Sequence, residues 1–556
     1  MTNKVRTGMI IAVLMVGAML ALSPPIQAMA RLDTPLSMSG LLDSIDGRSI
    51  WANGSELEAL GASLPAYRCA GSAGANQSAQ WMKDRFEDLG LECWLEEYEF
   101  CGWDLRAPPL MEVVRSNGTG QDRWSMPSFQ AEHFSYASAG DGSVGEIMIL
   151  PLPVSSSYED FVDERYHPSL WQGLDIRNKV VLVGREVRWN SAWEAALVEK
   201  LGEGPVALVF YYSQEWTSPW EVMFMASSGG RPLSALGAYL HAHGIPAGSL
   251  APTDSERLLG WVEEGTVSGR VIIQATSAPW AHCNVVAMLP GESGTEEMVL
   301  LSAHYDSIMG PGFIDNAVGA ATLLEVASAL HQARISTEFR QAPALLFVAF
   351  SGEEQGMAGS SFYYAKHIDE MEQVRAVINI DSIGAGTLIC TPTEADGDLD
   401  LDELVETAAS ETGMISLQQQ ASSDQESFLH PESIAGSLGA GWGMSPSLPD
   451  EVHPVPCSIC ISSGPLTPRD ASRFGQGGWI HTSRDSSAYA SASGWVSEQM
   501  LEKQAEIVLR VCLEVIGTGE ESPSPNPVPM ILLLATVSLA TLAAYLLYFG
   551  RKAPKQ

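Results

Sequence analysis

Four continuous apolar runs, Met298–Ala303, Ala344–Phe350, Ala376–Ile380 and Cys457–Ser462, constrain this chain more than any other feature. A strand with one wet face alternates apolar and polar residues, whereas a continuous apolar run must be covered on both sides. Helical patterns at Ala317–Ala333 and after Ser486 complete an α/β arrangement. The fold predicted is a mixed, mostly parallel sheet covered by helices. Polar residues follow the runs. The first is followed by His304-Tyr-Asp306, the second by Ser351-Gly-Glu353-Glu354, and the third closes on Asn379-Ile-Asp381. Ligands in open α/β sheets bind outside the carboxyl ends of the strands, so these side chains should share one rim. Asp315, between the Gly310-Pro-Gly312 turn and a helix, belongs to the same rim, and His481 stands on a loop that can return to it.

The remaining chain reads differently. At 556 residues it holds two or three folded units. A helix over about 74–89 ends at Gly90, and an extended segment follows from Leu91 to Phe100. Between 131 and 275, short strand-like runs (Gly145–Leu150, Lys179–Val183, Val206–Phe210) alternate with helical patterns at Ala192–Leu201 and Pro232–His243, which predicts a compact α+β insert. No internal repeat is evident.

Both ends address a membrane. Lys4 and Arg6, an apolar core over Met9–Leu22 and Ala28-Met-Ala30 have the layout of a signal peptide over residues 1–30. Residues 521–529 form a proline-rich stalk, 530–550 an apolar stretch of spanning length, and 551–556 a basic tail. Tyr545, Tyr548 and Phe549 mark an interface, and Arg551, Lys552 and Lys555 place the tail in the cytoplasm. The expectation is a single-pass membrane protein whose bulk is extracytoplasmic. A net charge of −36 repels phosphate backbones and excludes nucleic acid as an expected partner. Eight dispersed cysteines do not make a disulfide framework, and the lone Cys457-Ser-Ile-Cys460 reads as a local disulfide in an exported chain.

Two histidines and several carboxylates on one rim are a mixed N/O donor set suited to zinc, and also compatible with manganese or cobalt. A carboxylate can bridge two cations about 3.5–4 Å apart. Each fragment alone has a plainer reading: His304-x-Asp306 as a surface pair, and Glu353-Glu354 as an acidic helix start favoured by the dipole. Their convergence on one edge is what points to metal.

In order and spacing, Ala303-His-Tyr-Asp-Ser307, Gly310-Pro-Gly-Phe-Ile-Asp-Asn316, Phe350-Ser-Gly-Glu-Glu-Gln-Gly356, Asn379-Ile-Asp-Ser382 and His481-Thr482 resemble the M28 metallopeptidases. Arg68 with Gly71-Ser72 looks like that family's opening segment, so the resemblance runs from about Arg68 to Val515. It implies a zinc-exopeptidase-like catalytic domain over 276–520, its N-terminal part over 31–130, and a protease-associated (PA) domain at 131–275. It further implies two zinc ions per chain, with His304 and Asp381 on one, Glu354 and His481 on the other, and Asp315 bridging. Glu353 would be the general base and Asp306 the partner that orients His304. The implied activity is peptide hydrolysis by an extracytoplasmic exopeptidase of aminopeptidase type, with peptides as substrates. The resemblance also admits a glutaminyl-cyclase-like single-zinc transferase, or a non-catalytic receptor or scaffold on the same fold. Two departures stand out: no tyrosine occurs in Phe474–Trp479 before His481, and Ser423–Phe428 matches only partly. Asp424 is therefore a substrate-site candidate whose plainer reading is a solvated loop acid.

Overall fold

The computed structural model describes residues 38–517, apart from 118–119, 134, 156–164, 166, 212–234, 292–294, 336–342, 392–398, 419–421, 450–453, 465–479 and 482–483. The signal-like segment, the stalk, the apolar stretch 530–550 and the basic tail lie outside the described residues. Among the described residues one helical stretch, Phe313–Ile335, is long and apolar enough to cross a membrane. It is a core helix: its apolar residues, from Val318 to Ala333, are almost all buried in the largest hydrophobic cluster among the described residues.

The four apolar runs form the centre of an eight-stranded mixed sheet. Its strand order is Glu92–Leu105, Ala275–Leu289, Ala344–Phe350, Met298–His304, Val374–Ile380, Cys457–Gly464, Thr387–Cys390 and Ser416–Gln418. The four middle strands are mutually parallel, and antiparallel pairings flank them on both sides. Val299, Leu301, Phe347, Ile378 and Ile459 face one helical layer, while Leu300, Leu346, Val348 and Val377 fill the other side. Burial on both faces is why these runs carry no alternation. Each fully buried Leu, Val or Phe contributes roughly 1.5–3 kcal/mol, so truncation here is among the costliest in the molecule.

The Glu92–Leu105 and Ala275–Leu289 strands pair along their whole length, from Glu92 opposite Met288 to Leu105 opposite Ala275. The chain leaves the first sheet at one end of this ribbon and returns at the residue directly opposite. Between them lies a second eight-stranded sheet, ordered Gly120–Ser125, Leu110–Asn117, Val267–Ile272, Ser143–Leu150, Lys179–Gly184, Ala207–Tyr211, Ala247–Ser249 and Gln130–Ala131. This sheet takes in 110–117 and 120–125, ahead of residue 131. Polar alternation on those two strands, one of them at the sheet edge, gave no strong signal.

The local disulfide expected of Cys457 and Cys460 does not form, and all eight cysteines are free. Both residues sit in the Cys457–Gly464 strand. Side chains three apart along a strand point to opposite faces, so their sulfurs cannot meet.

The helix that follows the Glu353-Glu354 turn, Ala358–Lys366, is fastened to the ribbon by His367. Its Nε2 lies 2.9 Å from Glu96 and its Nδ1 lies 3.1 Å from Glu370, beside the Tyr363 ring. Burial works to lower the His367 pKa, but the Glu96 and Glu370 carboxylates outweigh it and raise it. A histidine whose pKa is higher folded than unfolded contributes stability that is complete below about pH 6.5 and disappears as pH rises through the folded value. Glu96 is shifted the other way: burial pushes it up, yet bonding to His367 and Lys366 holds it lower, so its share is lost only in acid. His367→Gln should therefore cost about 1–2 kcal/mol near pH 6 and progressively less at alkaline pH. Calorimetric Tm measured from pH 5.5 to 9 reads this difference; an equal loss at every pH would contradict it.

Candidate metal centre

Three parallel strands deliver their polar ends to one edge. His304 closes the Met298–His304 strand, and Tyr305 continues the pairing by donating its N–H to the Phe350 carbonyl at 3.0 Å. Asp381 follows the Val374–Ile380 strand and donates its N–H to Ile461 at 3.1 Å. Glu353 and Glu354 follow the Ala344–Phe350 strand. They occupy a 3-10 turn, Glu353–Gln355. Gly352 (φ +78°) and Gly356 (φ +90°) bracket it, a conformation that glycine adopts without the Cβ penalty. The two glutamates still diverge, because successive side chains on a 3-10 turn are about 120° apart.

Asp315 stands on an irregular stretch, Phe313–Ala317, at the head of the core helix. Asn316 anchors this stretch: its amide donates to the Ile380 carbonyl at 2.8 Å and its side-chain oxygen accepts from Ser382 N–H at 3.1 Å. Gly319 makes room, since a Cβ there would lie 1.9 Å from the Asn316 oxygen. Arg68, fully buried, reaches in from the N-terminal segment and donates to Tyr305 O (3.1 Å), Pro311 O (2.5 Å) and Gly312 O (2.8 Å). It thereby fixes the loop that joins His304 to Asp315.

The five residues proposed as ligands come together in two groups. His304 Nε2 lies 3.1 Å from Asp315 Oδ1 and 3.5 Å from Asp381 Oδ1. His481 Nε2 lies 3.0 Å from Asp315 Oδ2 and 3.1 Å from Glu354 Oε2. Asp315 thus turns one oxygen to each histidine. Among the described residues these two triads are the groups of three or more such donors that could hold a metal ion. The donor set fits one. Neither ring nitrogen of His304 makes a well-formed hydrogen bond, although both are buried. One N–H cannot satisfy two carboxylates, but one cation can be shared by an imidazole and both. The second oxygen of Glu354 is already oriented, accepting Ile308 N–H at 3.0 Å.

Asp306 lies beneath His304, 3.5 Å from Nδ1, at ion-pair rather than hydrogen-bond distance, and accepts Glu353 N–H at 3.4 Å. Glu353 belongs to neither triad and remains half-buried beside them. Loss of solvent raises its pKa well above the carboxylate range; His304 opposes this, while Glu354, Asp381 and Asp424 add to it. Burial acts to raise Asp315 as well, but His304 and His481 overcome it and hold the group below its ordinary value. Divalent cations among these groups would draw all the carboxylates toward the ionised form. Two ligand-bearing segments sit in left-handed backbone, His481 (φ +60°) and Ser382 (φ +55°), a strain that side chains carry mainly at functional sites.

Asp424 is not the solvated acid of the plainer sequence reading. It is fully buried, accepts Ser360 Oγ–H at 2.6 Å, and is pushed up to about 7, chiefly by burial. The Glu426–Leu429 turn and the Ala358–Lys366 helix enclose it. Sequence reasoning also missed the insert's approach. His133, buried against the Trp103 ring, has its pKa driven down to about 3 by burial, with His481 adding to the shift. Beside it Glu132 binds Arg185 (2.7 Å) and Arg188 (3.3 Å). No cluster of this kind was visible between 131 and 275, because its members are up to 56 residues apart in sequence.

Residues 284–499 match the model of peptidase family M28. The chain carries an M28 peptidase domain. Curated relatives include a probable zinc metalloprotease of Pyricularia oryzae, 35% identical over 22% of this chain and 26% of that protein. A probable leucine aminopeptidase 2 of Aspergillus fumigatus is 29% identical over 40% of each. The chain spans about a quarter to two fifths of the length of these relatives. Among solved structures, a zinc aminopeptidase from Bacillus subtilis superposes with a TM-score of 0.54 at 19% identity, covering 84% of this chain and 95% of that one. A peptidase M28 precursor from Shewanella amazonensis gives 0.57 at 15% identity, covering 86% and 97%. These likenesses establish the mixed α/β fold.

The triads make separable demands. Asp315→Ala removes an oxygen from both, whereas Asp381→Ala touches only the His304 side. Zinc titration of metal-free protein should show Asp315→Ala weakening every binding event by more than the roughly 10–100-fold typical of a ligand's outer partners. Asp381→Ala should leave one event unchanged; equal effects of the two variants would argue against a shared carboxylate.

Proposed function

We propose that this protein is a zinc-dependent aminopeptidase with two metal ions per chain. The observation that carries the reading is Asp315 turning one oxygen toward each of two histidines, with Asp381 completing one triad and Glu354 the other. His304, Asp315 and Asp381 would hold one zinc, and His481, Asp315 and Glu354 the second. Zinc bound there supplies Lewis acidity, polarising a peptide carbonyl and lowering the pKa of water.

The chain's own residues do the rest. Glu353, outside both triads and with its proton affinity raised, takes a proton from the attacking water as the new C–O bond forms. It then delivers that proton to the amine nitrogen as the C–N bond breaks, so the cycle closes without other acids. Asp306 holds the Glu353 backbone and faces His304, which keeps base and ligand in register. Six carboxyl groups, Asp306, Asp315, Glu353, Glu354, Asp381 and Asp424, gather here. Two divalent ions leave an excess of negative charge. That field attracts a protonated peptide N-terminus and repels a C-terminal carboxylate, and the curated leucine aminopeptidase relatives agree with that choice.

The same proposal places the catalytic half outside the cytoplasm. The basic–apolar–A-x-A start and the apolar stretch at 530–550 with its basic tail support export and a single-pass anchor. The insert would act as a PA-like domain. Protease shaving of intact cells should remove the catalytic half while the C-terminal tail stays protected.

Glu353→Gln is the decisive variant. It keeps the size of the side chain but cannot accept a proton. Metal content by elemental analysis should remain two per chain while kcat on aminoacyl anilides falls about 10²–10⁴-fold with little change in KM. Glu354→Ala should instead lose metal. N-blocked substrates should be refractory, and a chelator should abolish turnover reversibly. Near-normal rates for Glu353→Gln, or loss of its metal, would remove Glu353 from the role of base.

A further inference from the structure

We propose that Asp485 is a positioning residue for the shared ligand Asp315, locking its backbone to the loop that carries His481. This inference rests on the two-metal reading above.

Three consecutive backbone N–H groups end on this one residue. Phe313 N–H is accepted by the Asp485 carbonyl at 3.0 Å, Ile314 N–H by Oδ1 at 2.6 Å and Asp315 N–H by Oδ2 at 3.2 Å. Asp485 is 1% exposed. A buried carboxyl group is a costly way to fill space unless its oxygens are hydrogen-bonded. Among short side chains, only a carboxyl group offers two adjacent acceptor oxygens, one for each N–H. An asparagine would set an NH2 donor where one of the two N–H groups now meets an oxygen, and a serine would offer a single oxygen in place of two.

The placement explains what this double acceptor accomplishes. Asp485 lies four residues after His481, so it travels with that ligand. Its grip starts at the backbone of Asp315, whose two oxygens are 3.1 and 3.0 Å from the two histidine nitrogens. The far side of the same loop is held by Arg68 through Pro311 and Gly312. Asp315 is thus gripped from both sides, and the Asp485 side is also tied to the second histidine. Ser486 then caps the Ser487–Ser493 helix, and Ser487 N–H donates to Glu58 at 3.0 Å, which anchors the Asp485 loop to the body of the protein.

The test measures metal affinity apart from turnover. Full-length protein in detergent is stripped with chelator and titrated with cobalt(II), read by its visible absorption, and with zinc against a chromophoric competitor. Wild type should take two ions. Asp485→Asn should retain its circular dichroism but bind both ions about 10–100-fold more weakly, with an altered cobalt spectrum. A merely structural role would lower Tm without moving either readout. His367→Gln, whose partners Glu96, Glu370 and Tyr363 are outside both triads, serves as the control that loses stability alone. Wild-type affinity and spectrum in Asp485→Asn would overturn the proposal. If wild type itself takes up no metal, the metal-centre reading falls and this inference with it. Should Asp485→Asn not fold, Asp485→Ser with its single small acceptor carries the same expectation. Failure of both to fold, with or without metal, would assign Asp485 to folding and overturn the positioning role.

Discussion

Concentrated negative charge is the constraint around which this structure is arranged. Two like charges about 4 Å apart cost on the order of 4 kcal/mol at the effective dielectric of a protein. Asp306, Asp315, Glu354 and Asp424 are all buried within one small region, with Glu353 and Asp381 beside them. Two imidazoles cannot neutralise that many carboxyl groups. The protein adds a fixed positive charge in Arg68, but spends its hydrogen bonds on three carbonyls and leaves the guanidinium to act on Asp485, Glu58, Asp306 and Asp315 through its field. The remaining imbalance is of the size and geometry that divalent cations relieve.

The fold gathers the charges by a simple device. Parallel strands end on the same edge, so residues far apart in sequence arrive together once the apolar runs are buried. Each arrival is then corrected locally. Left-handed glycines turn Glu353 and Glu354 off the strand, Gly319 admits the Asn316 side chain, and Ser382 Oγ donates to Asp381 at 2.9 Å. Hydrophobic burial supplies the coarse placement and hydrogen bonds to backbone supply the last ångström. This division resembles what metal sites generally require, where outer partners orient the donors.

The same division explains what could be read from sequence. The four central strands, the helix from Ala73, the core helix and the strand-end donors were legible because continuous burial and chemically unusual residue types leave strong marks. The Gly47–Ala62 helix was not, since its buried face includes Gly47, Gly54 and Gly61, which blur an apolar stripe. Gly54 is there because the Phe313 and Val318 side chains press against it, a tertiary reason invisible in the local pattern. Asp485 lay in plain view within the His481 segment yet carried no signal of its own. Its meaning depends on the Ile314 and Asp315 backbone, some 170 residues away. Asp424 was misjudged for a related reason: nothing local announces that Ser360 and the surrounding turn would bury it.

The second sheet is placed by its connection to the first. Because the chain leaves and re-enters the catalytic half at paired residues, Leu105 and Ala275, the insert is carried on one stiff two-stranded ribbon. Trp103, near the ribbon's far end, is fully buried and donates its indole N–H to the Ser135 carbonyl at 2.9 Å, tying Ser135 to the ribbon. Glu132 is balanced there by Arg185 and Arg188, which stack over Phe210. A flexible tether would let the insert drift, and His133 would lose the burial that holds its pKa down to about 3. With the ribbon and the Trp103 bond both in place, the insert is held at the end of the Glu92–Leu105 and Ala275–Leu289 pair, and its His133 lies close enough to His481 for the two to interact.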